Sequence, residues 1–147
     1  MTASYRIFPD LKIKYVQVSG YTDLRELKTL AKRFFEDPEF SPELRQIIDL
    51  SELTDASSRF IEVFTLRNFY LRNYGKLERP VSVFIIAPTE LGESISKMFS
   101  FLMFGQRVMD VQIYKAHQEI FEALSLSYEE QTRVRSRYEG CASPSQA

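Results

Sequence analysis

In the middle of the chain, an apolar run leads into carboxylate and hydroxyl side chains: Asp49, Asp55, Ser57 and Ser58. In open α/β sheets, the turn from a strand to a helix at the carboxyl edge is where sites usually form. A serine there can accept a phosphate, which the free N–H groups and the positive end of the helix stabilise. The same serine can instead serve only as the N-cap, a role that alone explains its type. Ser57 and Ser58 are therefore candidate phosphoacceptors, and Asp49 and Asp55 are candidate partner contacts.

Residues for acid–base, redox or metal chemistry are few and scattered. His117 is the only histidine; because no neighbouring pattern marks it as a base, we interpret it as a surface or capping residue. Patterns typical of zinc and calcium sites do not occur, and the glycines form neither a phosphate-binding loop nor a dinucleotide fingerprint. We expect no catalytic residue, no metal and no cofactor, and therefore a protein that is not an enzyme.

Composition restricts the remaining classes of function. The 19 basic residues oppose 20 acidic ones, and this near-neutral balance argues against a dedicated nucleic-acid binder. A chain of 147 residues with 44 % hydrophobic content suits one domain with its own core. No apolar run approaches the ~20 residues that span a bilayer, and the single cysteine, Cys141, cannot form an internal disulfide. These features predict a soluble cytoplasmic protein without a transmembrane segment.

Apolar periodicity alternates between the strand and helix periods along the chain. Strands are predicted at residues 5–8, 12–18, 44–50, 81–87 and 108–114, and helices at 24–37, 58–74, after Thr89, and at 116–124. The order ββαβαβαβα predicts an α/β fold with four helices and a mixed, mainly parallel central sheet of about five strands. We expect one α/β domain over residues 1–126, then a short C-terminal helix and a flexible tail over 127–147.

These elements, with the residues around Asp49, resemble the STAS domain of anti-sigma-factor antagonists. The resemblance spans residues 5–124 and is carried by Ile48-Asp49-Leu50-Ser51 at a strand end and Ser57-Ser58 at a helix start. In that family, a serine at this helix start is phosphorylated by a partner kinase; Arg59 stands where the family has glycine. Stand-alone bacterial STAS-like, CRAL-TRIO-related proteins are similar as well. The resemblance implies a STAS-like fold and a non-enzymatic regulatory or protein-interaction module, with a kinase or an anti-sigma-type regulator as partner.

Aromatic residues on the second and third predicted helices indicate a contact surface. Phe101 and Phe104 project away from the apolar stripe with which the third helix packs on the sheet. Either the second helix covers them, or they form an exposed apolar surface. In the second case, homodimerisation, or a groove between the two helices for lipid or another apolar ligand, becomes the leading function. The candidate residues are Phe60, Phe64, Met98, Phe101 and Phe104.

Overall fold

Helices cover both faces of a five-stranded sheet. The computed structural model describes residues 3–56, 60–75, 77 and 79–140, with only the backbone described at 22, 24, 56, 60, 61, 63 and 136–140. The strands are β1 (Ala3–Phe8), β2 (Ile13–Thr22), β3 (Arg45–Ala56), β4 (Val81–Ile86) and β5 (Met109–Tyr114). The helices are α1 (Leu24–Phe35), α2 (Phe60–Tyr74), α3 (Glu90–Met103), α4 (His117–Ala123) and α5 (Tyr128–Gly140).

The strands lie side by side in chain order, β1-β2-β3-β4-β5. β1 pairs antiparallel with β2, and every later pair is parallel. The predicted mixed, mainly parallel α/β sheet is therefore confirmed, and so is the antiparallel hairpin at its edge. Each parallel pair needs a crossover connection, and α1, α2 and α3 supply the three crossovers.

Different helices cover the two faces of the sheet. On the first face, α1, α2 and α3 pack through Phe34, Tyr74 and Met103 on side chains such as Val16 and Val83. On the second face, α4 and α5 pack through Phe121 and Val134 on Ile47 and Ile86. Because both faces are covered, the interior strand β4 is apolar at every position except Ser82.

Strands β2 and β3 are longer than the sequence predicted. They continue to Thr22 and Ala56 and pair with each other beyond the point where apolar periodicity stops. Register shifts between Gln17 and Ser19 and between Gly20 and Tyr21 accommodate this extension, and Gly20 adopts a φ of 65°, which glycine allows at low cost. The region from Asp49 to Asp55 therefore lies in a strand, which corrects the predicted strand-to-helix turn.

Capping side chains define the starts of α1 and α3. Asp23 accepts a hydrogen bond from the backbone N–H of Glu26 at 2.9 Å, as predicted from their spacing. Thr89 accepts from the N–H of Gly92 at 3.1 Å. None of the helices in the described part of the chain is long and apolar enough to span a bilayer.

Helix α5 packs on the sheet domain instead of extending from it. Val134 is completely buried in the same core cluster as Ile120 and Phe121 of α4. The guanidinium of Arg133 also forms a two-point ion pair with Asp10, in the turn between β1 and β2. Helix α5 therefore completes the second face of the core. Residues 141–147, at the end of the segment predicted as a short helix and flexible tail, lie outside the described residues.

Truncation of Val134 tests the contribution of α5 to the core. We expect Val134→Ala to lower the free energy of unfolding by about 2 kcal/mol, because it removes buried methyl groups and leaves a small cavity. Thr132→Ala, an exposed substitution on the same helix, should change it by no more than about 0.5 kcal/mol. Urea denaturation of both variants measures the difference, and equal effects would contradict the packing of α5.

Candidate functional site

Three side chains converge on a buried carboxylate in β3. Asp49 has no exposed area. Its Oδ2 accepts a hydrogen bond from the Tyr15 hydroxyl at 2.8 Å and lies 2.9 Å from Nε2 of His117 at the start of α4. Its Oδ1 accepts from the backbone N–H of Ser51 at 2.9 Å and from the Ser51 hydroxyl at 2.5 Å. These four residues, the Asp49 cluster, join β2, β3 and α4.

The hydrogen bonds decide the charge of Asp49. Burial by itself raises the pKa of a carboxyl group, because desolvation disfavours the charged form. The hydrogen bonds from His117, Ser51 and Tyr15 outweigh burial and hold the pKa of Asp49 below its ordinary value of 3.8. The carboxylate is therefore charged at neutral pH, and its partners satisfy it inside the protein.

In the Asp49 cluster the Ser51 hydroxyl and the imidazole of His117 contact the same carboxylate, through Oδ1 and Oδ2 respectively. Within residues 3–56, 60–75, 77 and 79–140, no group of three His, Cys, Asp or Glu side chains could hold a metal ion. The cluster serves to fix α4 on the sheet. His117 contributes to this function through a partner 68 positions away in the chain, and no local sequence signal marked that pairing.

The predicted phosphoacceptor region is only partly described. Ser57 and Ser58 lie outside the described residues, between the end of β3 and the start of α2. Asp55 is exposed, as a partner contact must be. Asp49 does not meet that requirement, because its carboxylate is buried in the Asp49 cluster. The structure thus corrects the expectation that Asp49 is a partner contact. That expectation depended on a strand that ends at Leu50, whereas β3 continues to Ala56.

Exposed aromatic side chains occur at the end of α3, which decides between the two alternatives that the sequence left open. Phe101 and Phe104 are 79 % and 85 % exposed, so α2 does not cover them. Phe64 on α2 is 40 % exposed. The guanidinium of Arg67 lies 5.2 Å from the Phe64 ring centroid, and its Nε donates to the carbonyl oxygen of Leu102 at 2.8 Å. Arg67 thus brings Phe64 close to the end of α3, and we name Phe64, Phe101 and Phe104 the aromatic surface.

The other two predicted interface residues contribute differently. Met98 is half-buried and packs in a small cluster with Leu66 and Leu102, between α2 and α3. Phe60 begins α2, but its side chain is outside the described part of the structure. The predicted interface is therefore reduced to the aromatic surface, with Met98 part of the packing beneath it.

A surface groove connects the end of α3 with the edge of the sheet. It has a volume of about 470 Å³ and is lined by residues that include Met103 and Phe104 of the α3 end and Met109, Asp110 and Val111 of β5. Strand β5 is the last strand of the sheet and pairs only with β4 among the described strands. Phe104 of the aromatic surface and the edge strand β5 therefore line the same groove.

A partly enclosed cavity of about 100 Å³ lies between the sheet and the helices α1, α2 and α3. Its lining is almost entirely apolar and includes Val16, Leu30, Leu66, Ile95 and Phe99. The residues predicted to form an apolar groove, Phe64, Met98, Phe101 and Phe104, do not line it. The apolar space thus lies on the inner side of α2 and α3, not between their outer surfaces.

Lys14 is the charged residue in the wall of this cavity, and no sequence pattern marked it. Its side chain is only 2 % exposed, and its ammonium nitrogen lies 3.5 Å from the centroid of the Phe34 ring. Burial lowers the pKa of Lys14 to about 7. The alternation in residues 12–18 predicted a half-buried strand with its polar side chains in solvent. Because β2 is an interior strand with helices on both faces, Lys14 is buried instead.

The Asp49 cluster predicts a specific pH dependence of stability. The pKa of Asp49 is lower in the folded protein than its ordinary value of 3.8. Its contribution to stability is therefore present above that value and is lost as the pH falls through the lower pKa of the folded state. At about pH 6 we expect Asp49→Asn to lower the free energy of unfolding by about 3 kcal/mol, since a charge-assisted buried network loses its acceptor.

Urea denaturation of the wild type and Asp49→Asn from about pH 6 to pH 3 measures this dependence. The difference between the two proteins should shrink as the pH falls. Glu52→Asn, which changes an exposed carboxylate on the same strand, should have little effect at any pH. A constant difference for Asp49→Asn across this range would show that the carboxylate is not held in its charged form by the cluster.

Comparison with known proteins does not assign the chain to a family. No protein-family model and no curated protein matches the chain. Among solved structures, the chain is similar to an uncharacterized protein of the DUF3478 family, with a SpoIIAA-like fold, from Shewanella loihica PV-4. The TM-score is 0.49 and the identity 15 %, over 76 % of this chain and 83 % of that chain. A likeness this low carries no conclusion about fold or function.

Proposed function

We propose that the chain is a protein-interaction module that catalyses no reaction, and that its partner docks on the aromatic surface and the adjoining edge of β5. The observation that carries the proposal is the exposure of Phe101 and Phe104, at 79 % and 85 %. Full burial of a phenylalanine side chain is worth about 1.5–3 kcal/mol. Aromatic residues that become buried at the centre of an interface supply much of its binding energy. The two rings together therefore suffice to anchor a partner.

The neighbouring strand edge indicates the form of the partner. Strand β5 offers its outer backbone groups to an added strand, a common mode of peptide recognition. The groove between β5 and Phe104 provides room for alternate side chains of such a segment. The favoured partner is thus an extended segment of another protein that pairs with β5 and places apolar side chains against Phe104.

The proposal includes a switch at Ser57 or Ser58, which precede α2 by only a few residues. The start of α2 at Phe60 lies about 6 Å along the helix axis from Phe64. A phosphate carries nearly two negative charges, and charges act over about 8 Å at physiological ionic strength. Phosphorylation there would therefore weaken the docking of an apolar or acidic partner on the aromatic surface. The role of either serine as a simple N-cap is the alternative.

A second candidate function is the binding of a small apolar ligand in the cavity beneath α1, α2 and α3. The cavity and its apolar lining favour this function. An engineered cavity of about 150 Å³ with a similar lining binds benzene, so a void of this order accepts a small ligand but not a full acyl chain. The lipid binding considered from the sequence is thereby narrowed to a ligand of a few carbon atoms.

Site-specific photo-crosslinking tests the docking surface. A photoreactive phenylalanine analogue at position 101 should crosslink to a protein partner in cells, and one at position 128 should not. Tyr128 is the matched control, because it is similarly exposed but belongs to α5 on the other face. Phe101→Ser combined with Phe104→Ser should weaken capture of the crosslinked partner at least tenfold, whereas Tyr128→Ser should not.

Sedimentation of the purified chain shows whether the partner is a second copy of the chain or a different protein. A partner identical to the chain itself would appear as a concentration-dependent dimer that the double variant abolishes. If position 101 crosslinks no more than position 128, and the double variant retains full capture, the aromatic surface is not the docking site.

Incubation with host lysate and ATP tests the switch. Mass spectrometry of the recovered protein should show phosphate on Ser57 or Ser58. The phosphate should be absent from a Ser57→Ala, Ser58→Ala double variant, and Ser58→Asp should weaken partner capture. Absence of phosphate from both serines of the wild type, together with unchanged capture by Ser58→Asp, would leave the N-cap role as the sole function of these residues.

A further inference from the structure

We propose that the cavity binds a short-chain carboxylic acid, with the carboxylate held by the ammonium group of Lys14. The inference depends on the second candidate function, ligand binding in the cavity, and adds the chemical class of the ligand. Two observations carry it: an apolar void of about 100 Å³ and a buried cation in its wall.

Lys14 has no anionic partner among the described residues. Among the described residues, no carboxylate lies within ion-pair distance of its ammonium nitrogen, which lies 3.5 Å from the centroid of the Phe34 ring and 5.7 Å from that of Tyr5. A desolvated cation–π contact is worth about 2 kcal/mol, whereas burial of an ion costs several kcal/mol. The aromatic rings therefore offset only part of the cost, and an anion beside Lys14 would stabilise the charged form.

The chemistry of the wall restricts the ligand further. Besides Lys14, the wall contains the polar side chain of Gln46. Gln46 is opposite Lys14 in the β2–β3 register, and its amide already donates to the Tyr74 hydroxyl. The remaining lining includes Val18, Leu50 and Ile85. A ligand that fits this wall has one anionic group and an apolar remainder, so sugars, nucleotides and polyphosphates do not suit it.

The volume sets the length of the apolar remainder. The benzene cavity of about 150 Å³ accommodates six carbon atoms. By the same scale, a cavity of about 100 Å³ accommodates roughly four non-hydrogen atoms. The apolar remainders of propionate and butyrate, two and three carbon atoms beyond the carboxylate, are within this limit, whereas the five-carbon remainder of hexanoate exceeds it.

The tyrosines near Lys14 do not change charge near neutral pH. Burial raises the pKa of Tyr70, which lines the same cavity, to about 12, and it also raises the pKa of Tyr5, whose ring is near the Lys14 ammonium group. The Tyr5 hydroxyl in turn donates to Asp37 at 2.7 Å. Any change in carboxylate affinity between about pH 6 and pH 9 that Lys14→Met abolishes therefore reports the protonation of Lys14.

Isothermal titration of the full chain with matched acids and alcohols tests the inference. The probes are propionate, butyrate and hexanoate, with propanol and butanol as neutral analogues. We expect butyrate to bind the wild type, to bind Lys14→Met at least tenfold more weakly, and to bind Lys12→Met as the wild type does. Lys12 is the matched control because it is an exposed lysine just before β2. The affinity for butanol should be the same in all three proteins.

A second measurement on the wild type alone keeps the test valid if Lys14→Met does not fold. Carboxylate affinity should fall as the pH rises from about 6 to 9, and titrations in two buffers of different ionisation enthalpy at about pH 8 should show proton uptake on binding. Butanol binding should show neither effect. If alcohols bind but carboxylates show no advantage and no proton uptake, the cavity function stands and the role of Lys14 is refuted. If neither class binds, both are refuted.

Discussion

The sheet buries two ionisable side chains, Lys14 and Asp49, on opposite faces, and the rest of the structure depends on how each is stabilised. Lys14 and Tyr15 are neighbours in β2, so they point to different faces, and Tyr15 donates to Asp49 on the second face. Asp49 is fully hydrogen-bonded and ties α4 to the sheet. Lys14 is nearly as buried, and its ammonium group lies over the rings of Phe34 and Tyr5, with no ion pair to a described carboxylate. Hydrogen bonds thus offset the desolvation penalty of Asp49 on one face, whereas the aromatic rings offset only part of the penalty of Lys14 on the other.

This asymmetry separates structural from functional chemistry. The Asp49 cluster contains the residue types of a catalytic site, yet its hydroxyls donate to the carboxylate and stabilise the fold. The first face holds the cavity, and α3 borders both proposed binding regions. Ile95 and Phe99 face inward to the cavity, whereas Phe101 and Phe104 are exposed near the edge of β5. Both proposed functions are binding functions, and neither requires a bond-making residue.

The sequence predicted the features that are governed by local pattern. Periodicity located the strands and helices, and the same 100° spacing placed Phe101 and Phe104 off the apolar stripe of α3, but it left open whether α2 covers them. It could not predict the extension of β3 to Ala56, because pairing with β2 maintains that part of the strand where no apolar pattern remains. Burial of Lys14 and the pairing of Asp49 with His117 depend on contacts between distant segments. Lysines that alternate with apolar residues predict a strand with one face in solvent. The burial of Lys14 becomes evident only when the helices that cover this face are known.

Titration of the Lys14 side-chain nitrogen by NMR most directly tests the claim that this lysine is an unbalanced buried cation. In the free protein we predict that it loses its proton at a pKa of about 7, and that saturating butyrate shifts this midpoint upward while butanol leaves it unchanged. A Lys14 that stays protonated to about pH 10 without ligand, as an exposed lysine does, would contradict the claim.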